Sequence, residues 1–165
     1  MPGLPADAGP AVAVPAEAYL WFADLALEAM ASIVEELGDE LANRVPGLPD
    51  GNSPFAILTH CLGVTEYWAG ATVAGRKIRR DRASEFTASG DVAGLLERTQ
   101  AARLRLRQDM AGLDSLTPPD HVVRDPEEPA PYTETKGAVL LHILEELFQH
   151  LGHMEITRDM LQEGR

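Results

Sequence analysis

The C-terminal part of the chain carries a stripe of side chains that could bind a metal ion. In LHILEELFQHLGHMEITRDML, His142, Glu146, His150 and His153 fall within an arc of about 80° if the segment is a helix of about 100° per residue. Imidazole and carboxylate groups bind divalent cations such as Zn, Fe or Ni, and a spacing of four residues places Glu146 and His150 on adjacent turns. Apolar residues flank the stripe, so part of it is expected to be buried and to need a partner. The alternative is a row of solvated or hydrogen-bonded side chains with no ion.

His60 is the best candidate for a third ligand, although a lone histidine is also a common core residue. Facing helices in a bundle lie about 8–10 Å apart, so His60 on one helix could meet Glu146 and His150 on another. Two histidines and one carboxylate leave positions open for water or substrate, as in catalytic zinc and non-haem iron sites. The sequence has neither a Glu followed three residues later by His, typical of di-iron bundles, nor a His-Glu-x-x-His motif.

Long helices must position these residues, and the chain has no convincing alternating strand pattern. Apolar periodicity and the Ser53-Pro54 start signal predict four helices, at residues 15–43, 53–76, 91–112 and 135–163. We therefore expect an all-α four-helix bundle. A long Pro-rich loop at residues 114–134 precedes the last helix, and His121 and Tyr132 in it are candidate pocket residues.

Length and composition restrict the class of protein. With 165 residues the chain is expected to form one domain, residues 15–165, after a flexible Pro- and Gly-rich arm at residues 1–14 that lacks the features of a signal peptide. A net charge of −12 argues against nucleic acid or an anionic membrane as the partner. The single cysteine, Cys61, excludes an intramolecular disulfide, so the cytoplasm is the expected location.

Two further features have competing interpretations. The basic run RKIRRDR, residues 76–82, is interpreted as a solvated helix end that complements the helix dipole, with contact to an anionic substrate as the alternative. Cys61 follows His60 directly but lies about 100° around the helix from it, so we interpret it as a small core residue. No protein nucleophile is therefore predicted.

Two motifs resemble a known family. NSPFAILTHCLGVTEYW and EELFQHLGHMEITRDML are similar to segments of the DinB superfamily of metal-binding four-helix bundles, within a resemblance that covers residues 17–163. The most similar branch contains mycothiol-dependent maleylpyruvate isomerases and small-thiol transferases. The resemblance implies up-down-down-up topology, frequent homodimers, and a divalent metal held by His60, Glu146 and His150. Many members have His at the position of Glu146, and the Glu version resembles the mycothiol-dependent branch.

The resemblance implies a function that also has a physical basis. Thiols have a pKa of about 8.5 and react as thiolates. A thiol that enters an open position on a metal is deprotonated. We therefore expect a metal-dependent S-transferase, in which a metal-bound thiolate of mycothiol or a similar thiol attacks a small electrophile. Zinc is the expected ion, with nickel or iron as alternatives, and His142 and His153 are expected beside the ligands rather than among them.

Other functions remain open from the sequence. One alternative is a non-haem metal enzyme of other chemistry, an isomerase or an oxygenase. Another is a non-catalytic, stress-associated bundle whose ion only ties helices together. A bacterial role in detoxification or secondary metabolism is expected if the thiol chemistry is right.

Overall fold

The computed structural model describes residues 13–49, 51–119 and 133–164, and within them the chain is helical with no strand. The predicted all-α class is therefore confirmed. His121, Tyr132 and all but residues 13 and 14 of the expected N-terminal arm lie outside the described residues. The elements are α1 (Ala16–Ala42), α2 (Pro54–Thr65), a π-helix (Glu66–Val73), α3 (Arg82–Glu85), α4 (Val92–Asp109) and α5 (Lys136–Gln162).

The long helices α2, α4 and α5 begin where side chains cap their free backbone amides. The hydroxyl of Ser53 accepts from the backbone N–H of Ala56 at 3.2 Å, and Pro54 occupies the first turn. Asp91 and Thr135 cap α4 and α5 in the same way. Because caps are local, the predicted starts of these helices agree with the structure to within one or two residues.

Contacts along the helices show which of them run in the same direction. Phe22 packs against Phe148 with ring centroids 6.3 Å apart, and Gln162 donates to Glu36 at 2.8 Å. Moving toward the C-terminus of α1 thus also moves the contacts toward the C-terminus of α5. The first and last helices are parallel.

The fourth helix runs against the first. Arg103 Nε donates to Asp24 Oδ1 at 2.7 Å, and Asn43 Nδ2 donates to the carbonyl oxygen of Gly90 at 2.8 Å. The end of α1 therefore lies beside the start of α4. The two helices are antiparallel.

The second helix is antiparallel to the last one. The ring centroids of His60 and His150 lie 4.8 Å apart, and those of Trp68 and His142 lie 5.3 Å apart. Moving toward the C-terminus of α2 and the π-helix therefore moves the contacts toward the N-terminus of α5. The four long segments form the up-down-down-up bundle that the resemblance implies.

The predicted second helix, residues 53–76, is helical as far as Val73 but is not an α-helix throughout. The α-helix ends at Thr65 and continues as eight π-helical residues, after which the chain leaves the bundle direction at Gly75, whose φ is 68°. Gly70 permits this path, because a Cβ there would lie 2.1 Å from Nη2 of Arg76. The basic run therefore folds back beside α2, and the short helix α3, which was not predicted, follows it.

The first helix is also less regular than predicted. Gly38 has φ 63° and ψ 178°, values that favour glycine and interrupt the helix near its end. The turn after it lets the carboxylate of Asp39 accept the backbone N–H of Val92 at 2.7 Å. The break therefore helps to anchor the start of α4.

The core is formed by aliphatic side chains from all four long helices. Its largest fully buried members include Leu27, Met30, Leu58, Leu95, Leu147 and Met154. None of the described helices is both long and apolar enough to cross a membrane.

Truncation of one of these core side chains should lower stability by a predictable amount. Leu27 is 0% exposed, and Leu27→Ala should reduce the free energy of unfolding by about 2–5 kcal/mol because it removes buried methyl groups and leaves a cavity. The control is Leu25→Ala in the same helix, since Leu25 is 43% exposed and should cost about 0.5 kcal/mol or less. Urea unfolding followed by circular dichroism measures both, and equal losses would contradict the described burial of α1.

Candidate metal centre

His60 is buried at the middle of the bundle and its ring is held on two sides. The residue is 2% exposed. Phe86 stacks on the imidazole with centroids 4.6 Å apart and planes at 28°, and His150 meets it edge-on at 4.8 Å. The ring therefore has little freedom to rotate, and its two nitrogens point to defined partners.

Glu146 lies among three imidazoles. Its Oε2 is 3.3 Å from Nε2 of His150 and 3.7 Å from Nε2 of His60, while its Oε1 is 3.7 Å from Nε2 of His142. One ligand atom from each of His60, Glu146 and His150 lies within 4.8 Å of the others. The structure thus brings the three predicted ligands together across the interface between α2 and α5.

The surroundings of Glu146 stabilise its charged form. The contact with His150 holds the pKa of this carboxyl well below its usual range, and partial burial opposes it only in part. Nε2 of His60, at 3.7 Å from Oε2 of Glu146, is too far away for a good hydrogen bond. The site therefore presents a carboxylate, not a carboxylic acid, to an incoming cation.

The other nitrogen of His60 contacts a carboxylate that the sequence did not reveal. Nδ1 lies 2.8 Å from Oε2 of Glu85, on α3. Arg80 grips the same carboxylate with two donors, Nε to Oε1 and Nη2 to Oε2, both at 2.7 Å. Gly63, three residues after His60, makes room for this contact, because a Cβ at that position would collide with the Glu85 carboxylate.

These contacts determine which nitrogen of His60 carries the proton. A carboxylate only accepts hydrogen bonds, so the 2.8 Å contact assigns the proton of neutral His60 to Nδ1. The lone pair of Nε2 then points toward Glu146. A lone pair and a carboxylate oxygen repel each other unless a cation lies between them.

One nitrogen of His150 lacks a hydrogen-bond partner among the described residues. Its Nδ1 is buried, and no group in the described part of the chain forms a hydrogen bond with it. If Nε2 of His150 also binds a cation, Nδ1 carries the proton, and such a proton usually has a partner. The chemistry of the donor set, two imidazoles and one carboxylate within 4.8 Å of one another, fits a divalent ion.

The remaining predicted residues lie at different distances from the cluster. His142 is next to it, and its Nδ1 lies 3.0 Å from Oε2 of Glu145, so His142, Glu145 and Glu146 form a second group that could hold an ion. His153 is exposed, and its ring centroid is 6.2 Å from that of His150, so it belongs to neither group.

The basic run is interpreted from the sequence as a solvated helix end, but two of its arginines form ion pairs. Arg76 makes a two-donor contact with Asp109, both at 2.8 Å, and Arg80 pairs with Glu85. A cavity of about 390 Å³ lies between this segment, α2 and α4, and the three candidate ligands do not line it. The run therefore pairs with buried or partly buried carboxylates on its way past α2.

Comparison with known proteins identifies the family. A family model described as mycothiol-S-transferase (MST) matches residues 20–163. The chain belongs to this family. The match confirms the resemblance to the DinB superfamily and its mycothiol branch. No curated protein and no solved structure matches the chain.

Because the family is named for thiol transfer, Cys61, the protein's own thiol, could in principle act as a nucleophile. Cys61 is fully buried and free. Burial, followed by the charges of Glu146 and Glu85, raises the pKa of this thiol far above its usual value. A neutral thiol without access to solvent is a poor nucleophile, so we do not expect Cys61 to act as one.

Removal of this thiol should therefore leave chemistry intact. We expect Cys61→Ala to retain thiol-transfer activity, because Sγ is neither ionised nor accessible. Native wild-type protein should also fail to react with a coloured disulfide reagent until it is unfolded. Rapid labelling of the native protein, together with loss of activity in a folded Cys61→Ala variant, would contradict this account.

Proposed function

We propose that this MST-family chain is a divalent-metal-dependent S-transferase that joins a low-molecular-weight thiol, mycothiol or a close analogue, to a small electrophile. The observation that carries the proposal is the convergence of His60, Glu146 and His150 on one point. The family match supports the thiol as cosubstrate. We further propose the cytoplasm as the location, because thiols are kept reduced there.

The same three residues would hold the ion, with zinc expected and nickel or iron as alternatives. A divalent ion bound there would lower the pKa of an incoming thiol, so that it reacts as a thiolate at neutral pH. The carboxylate of Glu146 reduces the net positive charge of the site. The thiolate would therefore be more nucleophilic than in a site with histidines alone.

The chain's own residues would orient the reactants and carry away a proton. The thiol loses its proton, its sulfur bonds to the electrophilic carbon, and the leaving group or π bond of the electrophile takes the displaced electron pair. His142 lies between Glu146 and Glu145, and the side chain of Glu145 is 63% exposed. His142 would accept the released proton and pass it to Glu145, whose carboxylate lies 3.0 Å from Nδ1 of His142.

A structural ion is a second candidate function, and one observation favours it. Glu146 belongs both to the group with His60 and His150 and to the group with His142 and Glu145. If His142 completed a four-ligand shell, no position would remain for a thiol, and the ion would only tie α2 to α5.

The metal content of two variants tests whether Glu146 is a metal ligand. Protein purified without an affinity tag should carry about one divalent ion per chain by mass spectrometry, and Glu146→Ala should lose it, because the central carboxylate ligand is gone. Glu145→Ala is the matched control on the same helix and should retain the ion. Full retention in Glu146→Ala would refute the proposed ligand set, and loss in both variants would favour the group that contains His142.

Activity should depend on that ion. Purified mycothiol incubated with a small alkylating electrophile should disappear rapidly with the loaded protein and at the uncatalysed rate after the ion is removed by a chelator, with recovery on reloading. Free thiol and thioether product are both measured by mass spectrometry. The same rate before and after complete metal removal would contradict metal-dependent transfer, and iron-dependent oxygen consumption would indicate the oxygenase alternative.

A further inference from the structure

The contacts behind His60 suggest a role for two residues outside the proposed ligand set. We infer that Glu85, clamped by Arg80, is a positioning residue that fixes the Nδ1–H form of His60 and so aims the lone pair of Nε2 at Glu146 and His150. This inference rests on the proposed metal-dependent function. It concerns a carboxylate that lies 25 residues from His60 in sequence and belongs to no motif.

The contacts among Arg80, Glu85 and His60 place a proton on Nδ1 of His60. Arg80 has only donors, and two of them are used at 2.7 Å on the Glu85 carboxylate. Nη2 of Arg80 also lies 3.4 Å from Nδ1 of His60, but two donors facing each other do not form a hydrogen bond. The Glu85 contact at 2.8 Å is shorter, so Nδ1 donates to Glu85.

The surrounding chain is shaped to admit this carboxylate. The side chain of Glu85 is 8% exposed. A Cβ built at Gly63 would lie 2.2 Å from its Oε1, so only glycine at that position leaves the necessary space. Asp81 caps the short helix that carries Glu85, by accepting from the N–H of Ser84, and Phe86 then stacks on His60.

A second arginine–carboxylate pair makes it possible to distinguish a positioning role of Glu85 from a purely structural one. Asp109 accepts two hydrogen bonds from Arg76, and its side chain is 6% exposed, close to the value for Glu85. Gly70 makes room for Arg76 as Gly63 does for Glu85, because a Cβ at Gly70 would lie 2.1 Å from Nη2 of Arg76. Both pairs are buried carboxylates clamped by an arginine, but only Glu85 contacts a candidate ligand. The Arg76 pair therefore provides matched controls.

The first test uses metal-free protein, so it does not depend on the proposed activity. Long-range nitrogen–proton NMR of the imidazoles should show the Nδ1–H form of His60 in wild type and in Asp109→Asn. In Glu85→Gln the amide can donate as well as accept, and Arg80 gains a free donor near Nδ1, so the Nε2–H form should become substantial. An unchanged Nδ1–H form in Glu85→Gln would overturn the inference.

The second test measures affinity for zinc by competition with a chromophoric chelator. Loss of a carboxylate that orients a ligating histidine typically weakens metal binding about 10–100-fold, and we expect this for Glu85→Gln. Gly63→Ala should show a similar loss, because the displaced carboxylate can move into the cavity that it lines without unfolding the chain. Asp109→Asn and Gly70→Ala should change affinity by about threefold or less, since they do not touch a ligand.

Thermal unfolding of the metal-free variants completes the design. Comparable loss of stability in Glu85→Gln and Asp109→Asn, with loss of affinity only in the former, supports positioning. Equal affinity losses in both would show a merely structural effect and overturn the inference. If Glu85→Gln fails to fold, Glu85→Asp decides the question, because its shorter side chain withdraws the carboxylate from Nδ1 and should also weaken zinc binding. If wild type binds no divalent ion while the NMR result holds, the proposed function fails, and only the control of the His60 tautomer by Glu85 stands.

Discussion

A charged carboxylate surrounded by imidazole nitrogens, in a partly desolvated site, is the interaction on which the rest of the structure depends. Glu146 is ionised and half-buried, and the lone pair of His60 points toward it. Positive charge between the groups stabilises such an arrangement. The bundle supplies the rigid frame, because α2 and α5 run antiparallel and place the three side chains at one level.

The segment after α2 acts as a support for this site. The π-helix turns the chain so that the basic run returns along α2, and two arginines of that run each clamp a carboxylate. Buried arginine–carboxylate pairs add little net stability, but they fix geometry when every donor and acceptor is satisfied. The pair formed by Arg80 and Glu85 therefore matters more for the direction of the His60 ring than for the stability of the fold.

The parts of the structure that the sequence predicts well are those set by local physics. The spacing of Glu146 and His150 depends only on helical geometry, and the starts of α2, α4 and α5 follow from their capping residues. The contact of Glu85 with His60 depends on a short helix and a reversal of the chain that no periodicity indicates. Likewise, the break at Gly38 and the π-helix at Glu66–Val73 lie within stretches whose apolar spacing is that of a regular α-helix, so the periodicity does not indicate them.

A crystal structure of the loaded protein, with anomalous scattering recorded at the absorption edge of its ion, tests the central claim most directly. The account predicts one anomalous peak within about 2.0–2.2 Å of a nitrogen of His60, a nitrogen of His150 and an oxygen of Glu146, with at least one position open to solvent. A peak bound instead by His142, Glu145 and Glu146, or an ion enclosed by four protein ligands, would contradict it.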